Sequence, residues 1–496
     1  MGMAAGVRCP LAQESLWLDE LHTAWVVAGK WSDIESRAHI GNQSPLYFYV
    51  VRGVTSILGT SEVSLRLPSL VAGIALIPLA WWLTWRWTRQ ATAAFVVAIL
   101  LAWDPWCVFY AQEARSYALV QAVGLIQVGC FWCLLQGGSR RCRVVVVLAT
   151  GVMFYLHYTS LIVVAGECIA YVVHALFWRG GRAYPPRHAL FDTACCAVLI
   201  APALPHLREI ALHRDNWSLV VARPDVVRLF TLLSLGPYVA LPLGALVASR
   251  ILQKVIPAKA RSATAVGVLP AALVVTACWF CVPLVLTWLL TVLDVVRLFM
   301  VRYLAVVIAA PMVFGGLVIA AVPQAWVRGV SAAVVVLVSL QHGGLVSQLC
   351  QRGRLVSYRN QDWRAAVARI RDDTAATKNW PVLVRSGFIE ADRLRTAPED
   401  PLLRDYCLAP VNSIYLLNDS ARHLIPLPTT GSGRLTPAAL RELSDSQGAW
   451  AIIYGAVRSR PRIERDLLES LRQIGFDGKI GERETFGNVL VVRITR

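Results

Sequence analysis

Asp19 and Glu20 stand side by side in SLWLDELHTAW, an otherwise apolar stretch that also holds Trp17, Trp25 and, one turn on, His22. Glu113, Arg115 and Tyr117 follow in VFYAQEARSYAL, His157-Tyr158 in FYLHYTS, and Arg302-Tyr303 in RLFMVRYLAVV. Carboxylates, arginines and aromatics in that mixture suit a pocket for a sugar and a phosphate. A carboxylate takes a hydroxyl proton, and guanidinium forks hold phosphate oxygens. Any one Arg or Tyr reads more plainly as an interfacial anchor or a helix cap. The acidic pair is harder to assign to anchoring, because a charge beside lipid is costly. If the stretch around Glu113 is helical, Glu113 and Tyr117 share one face and Gln112 and Arg115 another. Glu167, about ten residues or roughly 15 Å into its helix, suits a structural hydrogen bond as well as a site.

The elements that must position these residues show in the composition. Residues 1–350 hold 25 Lys+Arg and 14 Asp+Glu, and residues 351–496 hold 23 and 17 in less than half the length. Only the second part approaches the ~25% charged residues of a soluble domain. The first has membrane composition. Apolar runs near 65–85, 91–109, 117–136, 143–157, 158–178, 189–206, 228–249, 265–290, 300–322 and 327–345 predict about ten spans. Alternate loops then carry Arg86/Arg89, Arg140/Arg141/Arg143, Arg179/Arg182/Arg187, Arg250/Lys254/Lys259/Arg261 and Arg328, which is 13 basic residues and no acid. The other loops carry five (Arg115, Arg208, Arg214, Arg223, Arg297) and nearly all the loop acids. The positive-inside rule therefore puts residues 1–64, the 104–116, 207–227 and 291–299 loops and the polar tail outside. The net charge of +17 is a topology signal, not a nucleic-acid signature.

Residues 44–58 (SPLYFYVVRGVTSIL) are too short for a span and are interrupted by Arg52. They read as a helix at the outer interface, where Tyr47 and Tyr49 are at home. An outward start with no span before Asp19 predicts that a first helix precedes Met1. In the tail, strand-like runs at 381–385, 450–454 and 489–494 alternate with helical patterns at 361–373, 436–444 and 461–474, which predicts a small α/β domain. The tail has neither a Gly-rich phosphate loop nor a His/Cys cluster. The 12 Cys sit mostly in apolar runs and make no disulfide framework. Cys130 and Cys133 spell C-x-x-C inside a hydrophobic run, where packing is a better reading than metal binding.

In order, LWLDE, SPLYFYVVRG, GTSEVSLRLPSLVAG, YAQEARSYAL, LHY and VRYL resemble the bacterial GT-C membrane glycosyltransferases of the family 39 superfamily. These are the relatives of protein mannosyltransferases and of the lipid A aminoarabinose transferase. The likeness covers roughly residues 16–320. Many relatives have a His before the Pro-Leu-Tyr, where this chain has Gln43-Ser44. The resemblance implies a GT-C-like α-helical polytopic domain over 1–350, with an outer first loop at 10–64, and an extracytoplasmic α/β domain over 351–496. It implies transfer of a sugar from a polyprenyl-phosphate carrier to a glycan, lipid or protein acceptor at the outer face of the cytoplasmic membrane, with no nucleic-acid partner. Asp19 matches the family's catalytic carboxylate, with Glu20 beside it, and Glu113 matches a second acid loosely. Arg115 and Arg302 are phosphate candidates by position, with Tyr47, Tyr117, His157, Tyr158 and Tyr303 as further substrate contacts. Some relatives use a divalent metal, which Asp19, Glu20 and Glu113 would hold, and others do not. Two rival readings are a transporter or lipid flippase, and an inactive member lacking the first helix. The spans show no internal repeat, and their charges gather at one face.

Overall fold

The computed structural model describes residues 2–178, 184–212, 221–255, 268–353, 355, 359–373, 379–417, 422–429, 443, 446–455, 460–473 and 476–496. The chain forms two compact units. One is Met1–Pro10 with Pro68–Val356, and the other is Leu11–Leu67 with Ser357–Arg496. The first outer loop, which the sequence places with the spans, belongs to the same unit as the tail.

The helical unit has six helices long and apolar enough to cross a membrane among the described residues, or eight if each of two bent pairs is one span. The expected count of about ten falls short for two local reasons. Arg140–Leu156 is a helix of 17 residues that opens on Arg140, Arg141 and Arg143. The run 228–249 breaks into Val226–Thr231, a π-turn Gly236–Ala240 and Leu241–Val255. Ser234 takes φ 51° in that break, and Pro237 lacks the N–H that would continue the helix. The inner-loop basic residues Arg179, Arg182, Lys259 and Arg261 lie outside the described residues.

Three buried polar devices hold this unit. Ala91–Trp103 and Pro105–Ala111 meet at a 59° bend. Asp104 caps the second helix by accepting from Cys107 N at 2.8 Å, with Pro105 in the first turn. Pro105 has no N–H for the Leu101 carbonyl, four residues earlier. Arg8, on the short helix α1 (Gly2–Arg8), takes its place, donating to Leu101 O and Ala102 O at 2.9 Å each. Arg143 forks onto Asp192 at 2.8 and 2.6 Å, and the Tyr184 hydroxyl donates to the same carboxylate. Glu167 accepts from Gln127 Nε2 at 3.0 Å, and Gln127 also reaches Thr150. Of its two readings, Glu167 thus has the structural hydrogen bond. Its neighbour Gly166 is needed because a Cβ there would lie 2.4 Å from Cys278 O.

The other unit is built on five strands, β1 (Val382–Arg385), β2 (Leu424–Pro426), β3 (Gly448–Tyr454), β4 (Lys479–Phe486) and β5 (Val489–Thr495), in the order β2-β1-β3-β5-β4. β1 runs parallel to β2 and β3, while β5 is antiparallel to β3 and β4. β1, β3 and β5 match the expected runs. They are apolar on both faces because each lies inside the sheet. β2 and β4 were not expected. β2 is three residues long and ends on Pro426, and β4 (KIGERETF) is charged. Both traits suit edge strands, which resist further pairing. One face buries Leu383, Ala451, Leu467, Phe476 and Val492 among others. The helices Trp363–Arg371 and Arg460–Gln473 appear as expected; the third expected helix, 436–444, lies outside the described residues apart from Leu443.

Leu11–Leu67 contributes α2 (Leu18–Ala28), α3 (Ile34–Ile40) and α4 (Leu46–Leu58). These are stitched to the tail by long-range bonds. Leu16 N donates to the Tyr415 hydroxyl at 2.7 Å and Leu18 N to Gln361 Oε1 at 3.0 Å. Trp25 Nε1 reaches Asp405 at 2.8 Å, and Arg37 pairs with the same carboxylate at 3.3 Å. Arg364 Nε and the Tyr415 hydroxyl both donate to Glu62, at 2.9 and 3.0 Å.

Candidate active site

The acidic set belongs to the loop-and-tail unit. α2 begins after Trp17, so Asp19 and Glu20 both lie in its first turn, where carboxylates offset the exposed N–H groups. The fates of the two differ. Glu20 is fully buried, and Arg66 clasps it with Nε on Oε1 at 2.7 Å and a terminal nitrogen on Oε2 at 2.5 Å. Trp17 N donates to the same Oε2 at 3.3 Å. Arg66 is also fully buried and donates onward to Ala12 O and Glu14 O at 2.9 and 2.7 Å. Glu20 is therefore the anchor of the loop that precedes α2. Its carboxylate already accepts from three donors and is closed off from solvent, which suits a structural role.

Asp19, one residue earlier and so about 100° round the helix, is only half-buried. Its charge bears on Glu390 and Tyr454, both from the tail. His22 is buried, its ring 5.5 Å from Phe48 and 5.3 Å from Tyr406. Gly41 lets the backbone pass it, since a Cβ there would lie 2.0 Å from His22 Cε1. Tyr47, expected as an interfacial substrate contact, is instead buried on α4 and edge-on to Phe48.

The basic and aromatic set belongs to the helical unit. Gln112–Ser116 is a tight turn rather than helix, with Arg115 N bonded to Glu113 O at 2.8 Å. The expected shared helical face of Glu113 and Tyr117 therefore does not form. Gln112 fixes the turn by donating to Val7 O and Arg8 O, and Ser69 by donating to Arg115 O at 2.7 Å. Glu113, Arg115 and Tyr117 are all buried. Rings run in a chain from Tyr110 to Tyr117 (4.7 Å), Tyr117 to His157 (5.4 Å) and His157 to Tyr303 (6.0 Å). Arg302 lies 5.1 Å over the Tyr303 ring, and the charges of Arg115 and Arg302 both bear on His157. Thr159 ties the arrangement with its hydroxyl 2.7 Å from His157 Nδ1 and 3.0 Å from Tyr303 O. Tyr158 belongs elsewhere: its hydroxyl is 2.9 Å from His206 Nδ1, and its ring packs on Phe154. Arg115, Tyr117, His157, Arg302 and Tyr303 thus come together from three separate loops. Two guanidinium groups beside buried rings can hold a phosphate while the rings exclude water.

Among the described residues no group of three or more His, Cys, Asp or Glu gathers as a metal site. The acidic set does not fit a divalent ion, because Arg66 and Trp17 N already occupy both oxygens of Glu20. Three participants escaped the sequence reading. Glu390 and Tyr406 lie in the tail, and nothing in GFIEADRL marks an acid that folds back to α2. Arg66 carried a visible signal, a lone charge in the apolar run SLRLPSLVAG.

Residues 42–206 match the family described as dolichyl-phosphate-mannose-protein mannosyltransferase. That stretch includes Glu113, Arg115, His157 and Tyr158, but it starts after Asp19 and Glu20. Among solved structures, ArnT from Cupriavidus metallidurans bound to undecaprenyl phosphate is similar with a TM-score of 0.54 at 14% identity, covering 99% of this chain and 96% of that one. The apo state of the same protein gives 0.53 at 15% identity, covering 98% and 95%. No curated protein matches the chain. The chain is a multi-pass membrane protein with the ArnT fold, which agrees with the superfamily that the ordered motifs resemble.

Proposed function

We propose that this chain is a membrane glycosyltransferase, which moves a sugar from a polyprenyl-phosphate carrier to an acceptor hydroxyl at the outer face of the cytoplasmic membrane. The observation that carries the reading is the gathering of Arg115 and Arg302 about His157 and Tyr303. The likeness in fold to a protein solved with undecaprenyl phosphate supports a lipid phosphate as the group held there.

The chemistry follows from the residues. Asp19 is the general base and takes the acceptor hydroxyl proton as the oxygen attacks the anomeric carbon in line. The bond from that carbon to the phosphate oxygen breaks, and the electron pair leaves with the phosphate. Arg115 and Arg302 stabilise the charge that appears there. A single displacement inverts the anomeric centre. A lipid phosphate is its own leaving group, so no nucleotide-binding fold is needed.

The test uses the purified full chain in lipid nanodiscs with undecaprenyl-phosphate hexoses and pentoses, each supplied separately. Native mass spectrometry should show undecaprenyl phosphate bound one to one, and one of the donors should release it in the presence of crude envelope acceptors. Absence of both binding and release would sink the reading. The orientation rests on the loop charges, and impermeant labelling of single cysteines placed in 10–64 and 351–496 in intact cells should mark both segments.

A further inference from the structure

Glu167 sits inside the helical unit where a charge would have little to meet. Glu167, Gln127 and Thr150 are all buried, Gln127 completely. Gln127 Nε2 donates to Glu167 Oε2 at 3.0 Å and to Thr150 Oγ1 at 3.2 Å, and the Thr150 hydroxyl itself donates to Val146 O at 2.8 Å. Among the described residues, Glu167 Oε1 and Gln127 Oε1 are both buried without a hydrogen-bond partner, and no Lys, Arg or His acts on the carboxyl. A carboxylate and an amide oxygen only accept, so these two atoms cannot satisfy each other in the ionised form. The acid form can supply the missing donor, because a proton on Glu167 Oε1 faces an amide already bonded to the same carboxyl. An unpaired carboxylate at such a depth is costly.

The three helices that meet here are the ones that lead into the basic and aromatic set. Gln127 lies about 15 Å along the helix Tyr117–Leu135, which begins on Tyr117. Thr150 lies on Arg140–Leu156, about 10 Å before His157. Glu167 lies on Val163–Phe177, which continues directly from the 3₁₀ turn Tyr158–Ile162 that carries Thr159. One amide therefore joins three rods at mid-length, and their outer ends bear Tyr117, His157 and Thr159.

The other titratable groups around the cluster are mostly thiols. Cys168 adjoins Glu167, and Cys196, from Pro186–Ile200, interacts with both Thr150 and Glu167. Across Gly166 the helix Val268–Val292 brings the backbone of Cys278, and neither that helix nor Tyr117–Leu135 contains a charged residue. Arg140–Leu156 has its charges, Arg140, Arg141 and Arg143, in the first turn. Pro186–Ile200 has Arg187, His188 and Asp192 toward its start, and Asp192 is held by Arg143 and the Tyr184 hydroxyl.

We propose that Glu167 is held as the neutral acid and, through Gln127 and Thr150, is a positioning residue that sets the spacing of Tyr117, His157 and Thr159 at the phosphate site. The inference rests on the reading of that set as a phosphate site.

The test uses the full chain in lipid nanodiscs and two substitutions at Glu167. Glu167→Gln reproduces the acid form, with one donor and one acceptor facing Gln127. Gln127→Leu/Glu167→Leu removes the clasp and leaves no polar group unpaired. The infrared difference between the native chain and Glu167→Gln at neutral pH should contain the C=O stretch of a protonated carboxyl. Carboxylate bands in its place would overturn the neutral acid. Undecaprenyl phosphate binding, read by native mass spectrometry, should stay near native in Glu167→Gln and weaken roughly tenfold in the Leu pair. Hydrogen exchange in 112–117 and 157–162 should quicken in the Leu pair and not in Glu167→Gln. Thr150→Val, which frees one helix from the clasp, repeats the comparison if the Leu pair folds poorly. Native exchange and native binding in a folded Leu pair would overturn the positioning role. If the native chain itself binds no carrier, the phosphate reading fails, and the infrared band and the exchange pattern still decide the clasp.

Discussion

The loop-and-tail unit holds Asp19 and Glu20, and the helical unit holds Glu113 together with Arg115 and Arg302. The acids are sorted by what buries them. Glu20 is locked to Arg66, whereas Asp19 stays half-buried among tail residues. Arg115 and Arg302 stand among rings held by Thr159, Ser69 and Gln112. On the proposed roles, rate and carrier affinity are separable, with proton transfer assigned to Asp19 and phosphate binding to Arg115 and Arg302.

The largest effect is expected at Asp19. Asp19→Asn keeps the size and removes the basic lone pair, so transfer should fall roughly 10²–10⁴-fold. Binding of undecaprenyl phosphate, measured by native mass spectrometry, should not change. A variant that transfers normally would move the base assignment to Glu113. Next comes Arg66→Met, which leaves Glu20 buried without its partner and should cost about 3–5 kcal/mol of stability. The double variant Glu20→Leu/Arg66→Met should recover much of that loss, because no unpaired charge remains. If the single variant melts like the native chain, Glu20 is free to act on substrate and the contrast with Asp19 collapses. The smallest of the three is Arg302→Ala. Losing one charge-assisted bond of about 1.5–3 kcal/mol should weaken carrier binding roughly ten- to hundredfold while melting stays near native. A change in rate at saturating donor with affinity intact would place Arg302 on the wrong side of the comparison.

The sequence makes one kind of feature visible and hides another. Apolar runs announce the six long helices and the two bent pairs among the described residues, and β1, β3 and β5 stand out because interior strands are apolar on both faces. β4 escapes because its charges, Arg483 and Glu484 among them, are what an edge strand needs. The run 91–109 reads as one span, and neither its break at Asp104-Pro105 nor the Arg8 side chain that fills it was expected. Asp19 could be singled out as an acid in a Trp-rich stretch. That Glu20 is held by Arg66, and that Glu390 bonds to Asn42, depends on contacts between segments far apart in the chain. No local pattern encodes them.

The composition of the loop-and-tail unit has a consequence for synthesis. Leu11–Leu67 is made several hundred residues before Gln361, Asp405 and Tyr415, to which it is bonded. At about 5–20 residues per second, the early segment waits roughly 20–80 s for them. Glu20 and Arg66 can find each other at once, since both are in the early segment. Trp25, Leu16 and Leu18 cannot reach their tail partners until the tail has been made. During that interval the bonds that tie α2 to the tail are unmade, and the segment is held by its own contacts, Glu20 with Arg66 among them.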